Sequence, residues 1–214
     1  MGYALQFSDR EISAWGGMGL MQRMLDHLDF ERALGASGLP QPGSNRGYAP
    51  EHLIVQFMLS VWCGANRFEH GKVKRHDPVL RRLFGFKRMA NFKAVMRLLR
   101  KFTQATNERG LGSLYRWLFE QRAVDDLTLD LDSTVMTRYG QQEGAVQGYN
   151  PSKPGHASHH PLMAFIVEVR MVVNCWLRPG NSHTATMPKP FSTAPWTNSG
   201  ASRWPCCGRQ RLLR

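Results

Sequence analysis

No apolar run in this chain is long enough to span a membrane. The longest candidate, 52–61, contains Gln56 and Ser60, whereas a spanning helix needs about 18 or more apolar residues. The N-terminus has no basic segment followed by a continuous apolar stretch, so a secretory leader is not expected and a cytoplasmic, nucleoid-associated location is. Cysteine is scarce. Cys63, Cys175, Cys206 and Cys207 are the only four, and none forms a Cys-x-x-Cys pair, which speaks against a disulfide framework and against a zinc site. Acids are few: 16 Asp and Glu stand against 28 Lys and Arg.

What is present is a globular composition. The 214 residues are 42% hydrophobic, enough for one or two domains with a buried core. The net charge of +12 and a sequence pI near 10.1 favour a polyanionic partner, nucleic acid first. The charge is concentrated. Arg67, Lys72, Lys74, Arg75, Arg81, Arg82, Lys87, Arg88, Lys93, Arg97, Arg100 and Lys101 are opposed between 67 and 101 only by Glu69 and Asp77. A solvated surface is usually mixed in sign. This stretch is not, and it is expected to bind duplex DNA through Lys72, Lys74, Arg75, Arg81, Arg82, Lys87, Arg88, Lys93, Arg97, Arg100 and Lys101.

Residues 1–122 read as a helical DNA-binding region. Met18, Met21, Leu25 and Leu28 recur at helical spacing within 13–34, and 35–47 is a Gly/Pro/Ser-rich loop. Pro50 and Glu51 suit a helix start, followed by an apolar stripe of Leu53, Ile54, Phe57, Met58 and Val61 that Gly64 ends. Asp77-Pro78 opens a short helix to Phe84. Asn91 can cap a helix over 92–102 with Val95, Leu98, Leu99 and Phe102 on one face, and 111–119 is a further helix.

The pattern then changes. Residues 127–132 alternate, with Leu127, Leu129 and Leu131 on one face and Thr128, Asp130 and Asp132 on the other, which predicts a strand. Residues 138–160 read as a long excursion. Two strands, 162–169 and 171–177, follow around Arg170 and are closed by Pro179-Gly180. The fold class is therefore α+β, with a boundary near 122–126. Two carboxylates at i and i+2 on a strand suit a hydrated Mg²⁺ ion and two-metal phosphoryl transfer. A plain solvated strand face would show the same pattern.

Leu129-Asp-Leu-Asp-Ser-Thr134, Gln141-Gln-Glu-Gly144, Gly148-Tyr-Asn150, His159-His-Pro-Leu162 and Trp176-Leu-Arg-Pro-Gly-Asn181 together resemble the DDE transposases of bacterial insertion sequences, of the group-one type. The likeness is specific over about 127–183 and looser over 1–126. It implies an RNase H-like core over 123–183, of which the first three strands are expected. It also implies Mg²⁺ or Mn²⁺ as the metal, the terminal inverted repeats of the element as partner, and strand transfer as the activity. By the family pattern the first catalytic carboxylate is Asp132, with Asp130 the runner-up and second metal contact. Glu143 lies in a matched segment that does not hold the family's second acid, Glu168 reads as structural, and His156, His159 and His160 read as DNA-backbone contacts or solvated residues.

The family's chemistry needs a second Asp and a later Glu, yet Glu143 and Glu168 are the only acids after Asp132. Metal binding is therefore expected to be weak or absent. Residues 184–214 hold several prolines, no carboxylate and no periodicity. Back-translation in a shifted frame permits an amphipathic helix and a strand there, so a truncated, frameshifted and disordered end is the expectation. Three functions remain open: a transposase fragment that binds element ends without cutting them, a non-catalytic regulator or inhibitor of the full-length transposase, and a metal-dependent nuclease. The fragment could associate with itself or with the full-length enzyme.

Overall fold

A computed structural model describes residues 9–43, 47–121 and 128–183 of the protein. The chain divides into two compact units, 1–117 and 118–214, with the division falling inside one helix rather than in the 122–126 segment that the sequence marked. No helix among the described residues is long and apolar enough to cross a membrane.

The first unit is helical: α1 (Met18–His27), α2 (Phe30–Ala36), α3 (Pro50–Trp62), a single 3-10 turn at Phe68–His70, α4 (Gly71–Arg75), α5 (Pro78–Leu83) and α6 (Phe92–Leu99), followed by most of α7 (Gln104–Glu120). The expected helix over 13–34 is two helices. Asp29 takes a left-handed conformation, φ 51°, which Asp tolerates better than most residues, and the chain turns there. Starts are set locally. Asp77 Oδ1 accepts the Leu80 N–H at 2.9 Å, its other oxygen accepts the Ser13 hydroxyl at 2.7 Å, and Asn91 Oδ1 accepts the Lys93 N–H at 3.0 Å. Thr103 and Thr106 exchange side-chain to backbone bonds across the first turn of α7.

Two apolar clusters fill this unit. Leu25, Phe30, Leu34, Leu59, Leu80 and Phe84 are central to one. Leu53, Ala90, Ala94, Val95 and Leu98 form the other, so α3 contributes to both. Its most deeply buried line is Leu53, Gln56 and Leu59; of the stripe read from the sequence Leu53 is buried and Ile54, Phe57 and Met58 pack on the clusters, while Val61 is half exposed. Gln56 is tolerated there because both ends of its amide are hydrogen-bonded. Nε2 donates to the Ala90 carbonyl at 2.7 Å, and Oε1 accepts the Ala90 N–H at 2.8 Å.

The second unit is an antiparallel sheet of β1 (Leu129–Ser133), β2 (Met136–Thr137), β3 (Val146–Gln147), β4 (Ala157–Ile166) and β5 (Met171–Pro179). Five strands stand where three were expected, because the 138–160 excursion contains β3 and the start of β4, with β2 just before it. β4 is the spine. β1 and β2 pair with it in one continuous register, Leu129 with Ile166 through Met136 with His159. Ser158 pairs with Thr137 and also with Val146, so β3 and β5 line the opposite edge of β4. Arg170, φ 52°, makes the tight β4–β5 turn. Leu131, Leu162, Ala164 and Ile166 pack on one face with Phe119 and Val169. Asp130 and Asp132 project from the other.

Candidate functional site

Two features carry chemistry, one in each unit. In the helical unit, Arg67, Lys72, Arg75, Arg81, Arg82, Lys87, Arg88, Lys93, Arg97, Arg100 and Lys101 are all exposed. Lys74 is the exception among the cations expected to reach DNA. Only 4% exposed, it holds its ammonium 3.4 Å from the His70 carbonyl and 5.9 Å from the Trp15 ring centroid, which takes it off the surface. Several of the others are already oriented. The Arg88 guanidinium lies 4.5 Å from the Tyr48 ring centroid, Lys101 donates to the Gln41 carbonyl at 3.0 Å, and Arg82 pairs with Glu11. Of the two acids in the stretch, Asp77 is engaged in capping α5, which leaves Glu69 exposed among the cations. The apolar face of α6 is buried through Ala94, Val95 and Leu98, so Lys93 and Arg97 face outward.

In the sheet unit, Asp130 lies opposite Phe165 and Asp132 opposite Met163. Asp130 is half-buried and Asp132 exposed. Met163 pairs onward with Cys175, so the carboxylates border a strip of apolar and sulfur side chains. Among the described residues, no cluster of three or more His, Cys, Asp or Glu could hold a metal ion. Burial pushes the Cys175 thiol up from its ordinary value, which keeps it from acting as a ready thiolate ligand.

The two later acids lie at opposite ends of the β1 track. Glu143 is exposed on the loop before β3, and its carbonyl meets His159 Nε2 at 3.0 Å. His159 is four residues along β4 from Met163, the partner of Asp132, a run of roughly 13 Å in a strand. Glu168 lies in the β4–β5 turn, not in a strand, and both its oxygens accept the Thr128 N–H at 3.0 Å. Hydrogen bonding from Thr128 holds its carboxyl below the ordinary glutamate value. It pins the start of β1.

Two of the histidines correct the sequence reading. His159 and His160 are 3% and 5% exposed, neither solvated nor open to DNA. His159 takes the Arg138 Nε–H on Nδ1 at 3.0 Å, so its other nitrogen must donate to Glu143. His160 Nε2 bonds the Tyr149 carbonyl at 2.8 Å. His156 is exposed and meets the Tyr139 ring edge-on at 5.5 Å.

Several of the separate segments that carry the family resemblance are tied together at one end of the sheet. Gly148 and Gly180 touch backbone to backbone. A Cβ on Gly148 would fall on the Gly180 carbonyl, and one on Gly180 would fall on the Val146 carbonyl, so no side chain fits at either. Asn150 is buried and donates to Thr137 Oγ1 at 3.0 Å. Arg178, 1% exposed, donates to the His160 carbonyl at 3.0 Å and to Ser133 Oγ at 2.8 Å, while desolvation lowers its pKa. Ser133 follows Asp132 directly. The tie therefore fixes the end of the strand that presents Asp132. Residue types gave no direct sign of Arg178 in this role, although its place within a matched segment was one.

Compared with known proteins, the family described as Transposase DDE domain group 1 matches residues 3–208. The match takes in the helical unit, the sheet unit, and residues 184–208, which on composition had stood apart. No curated protein and no solved structure matches the chain.

Proposed function

The chain belongs to the Transposase DDE domain group 1 family, and we propose that its helical unit binds the duplex ends of a mobile element while Asp132 stands as the first acid of an RNase H-like core. Family membership ties the chain to transposition. The observation that carries the DNA reading is the exposure of all the cations between 67 and 101 save Lys74, with Glu69 the exposed acid among them. Phosphate contacts of this kind release counterions, so binding weakens steeply with salt.

The antiparallel sheet, with its carboxylate strand paired along one edge of the spine, supports the RNase H-like reading. DDE transposases work with divalent metals, and Asp130 and Asp132 supply hard oxygens on one face, the donor type that Mg²⁺ takes. A bound ion would stabilise charge on a phosphate and lower the pKa of an attacking water. Asp132, exposed at the end of a pinned strand, would hold it, with Asp130 alongside. Two carboxylates leave most of its shell hydrated. The Glu168 carboxylate is taken up by Thr128 at one end of the track, and the Glu143 backbone sits toward the other, which supports the reading that the 214-residue chain binds ends without cutting or joining them. A chain of that kind would compete with a complete transposase for the same ends, which is the regulatory form of the proposal.

The test is anisotropy with a terminal-repeat duplex. Replacing Arg97, Arg100 and Lys101 by Ala should flatten the log–log salt slope by about 2.7 and remove about 40-fold of the affinity loss between 50 and 200 mM salt, taking about 0.9 per phosphate contact. Unchanged affinity and slope would reduce the patch to a solvated surface. End-cleavage assays with Mg²⁺ or Mn²⁺ should show no product. Robust cleavage abolished by Asp132→Ala would overturn the inactive reading.

A further inference from the structure

Beside the basic helix α6 lies a pocket that phosphate contact alone leaves unused. It encloses about 270 Å³, below the roughly 300–1,000 Å³ of sites for drug-sized ligands, and is walled by Phe57, Val61, Phe68, Phe92, Val95 and Arg67. Phe57 and Phe68 stack at 5.7 Å between centroids with 26° between planes. Phe68 is 37% exposed and Val61 50%, so the apolar wall opens to water. The Lys72 ammonium lies 5.6 Å from the Phe92 ring centroid. Gln56 and Ser60 also border the pocket, but both are engaged: Gln56 on Ala90 and the Ser60 hydroxyl on the Gln56 carbonyl at 3.0 Å. What the pocket offers a ligand is aromatic faces, with cations beside them.

We propose that this pocket takes one unpaired nucleobase of a DNA strand whose flanking phosphates lie against Arg67 and Lys72. The inference rests on the reading of 67–101 as the DNA face. Aromatic rings joined to cations are what single-strand sites combine, because every base has a π face and every linkage a charge. Charge argues against the other occupants. A second copy would bring the same excess of cations to the contact, and an apolar protein side chain would leave Arg67 and Lys72 without a counterion. Glu69, on the same turn as Phe68, subtracts one charge and leaves the surroundings positive.

The experiment uses the full chain and three fluorescent DNAs of the same sequence at one salt concentration: a perfect duplex, a duplex with one bulged nucleotide, and the same bulge made abasic. The bulged duplex should bind at least about fivefold tighter than the other two, the low end of what stacking on one aromatic supplies. Phe68→Trp should keep that preference, and Phe68→Leu, which retains apolar bulk without a π face, should lose it while still binding duplex. With the unaltered protein, 2-aminopurine at the bulge should brighten on binding as it leaves the quenching stack of its neighbouring bases, which makes the result independent of how the variants fold. Equal affinity for base and abasic bulges, with duplex binding intact, would overturn the inference and leave the DNA reading standing. An apolar or protein occupant would give that same result. No binding to any of the three DNAs would overturn both.

Discussion

Gln56 joins the packing of the helical unit to its charged surface. Its amide holds both backbone groups of Ala90, the residue just before the Asn91 cap of α6, and both Gln56 and Ala90 are buried. In Gln56→Leu the side-chain volume stays similar while the Ala90 N–H and C=O lose their partner in a place water does not reach. Each orphaned group costs about 1–3 kcal/mol, and the extra apolar burial of Leu returns on the order of 1 kcal/mol. The net is a loss of about 3 kcal/mol, or a fall in Tm of roughly 10–20 °C for a unit of this size. Urea unfolding followed by the fluorescence of Trp15, Trp62 and Trp117, which all pack on this core, reads the change. Because Ala90 sets where α6 begins, the variant should also bind duplex DNA less tightly. A loss under about 1 kcal/mol would refute the reasoning, since it would mean that the clamp is dispensable or that water reaches Ala90.

Other consequences concern the sheet unit. Gly180→Ala places a Cβ on the Val146 carbonyl and on Ser158, so it should destabilise this unit at or beyond the upper end of the about 1–3 kcal/mol of overpacking; an unchanged near-UV dichroism melt would rule out the close approach. Hydrogen bonding from Thr128 lowers the Glu168 pKa, so its contribution is complete above the ordinary glutamate value of 4.5 and is lost as pH falls through the lowered one. Glu168→Gln should therefore flatten the acid limb of the stability profile, and a limb identical to that of the parent chain would dismiss the link. Calorimetric titration with Mn²⁺ should find weak binding that weakens further in Asp132→Asn, whereas equal affinity in both would remove Asp132 from the metal site.

The sequence by itself determined what depends on near neighbours. Asn91 and Asp77 announced their helices because a short side-chain acceptor next to an N–H acts over three residues. Leu129 to Asp132 announced a strand with two faces because alternation is a property of the extended chain. The concentration of positive charge in 67–101 was likewise plain from order alone. Tertiary structure decided whatever depends on a partner far along the chain. The apolar pattern of α3 found Leu53, Ile54, Phe57 and Met58 on the core side but passed over Gln56, which is made compatible with the core only by Ala90, 34 residues on. Lys74 read as one more DNA cation, and packing beside Trp15 withdrew it. His159 and His160 read as part of a polar excursion, yet β4 carries them inside, where carbonyls from the neighbouring loops engage both rings. The separation of Glu143 and Glu168 to opposite ends of the β1 track is also a fact of register, because only the pairing of β1 with β4 fixes which residues lie beside Asp132.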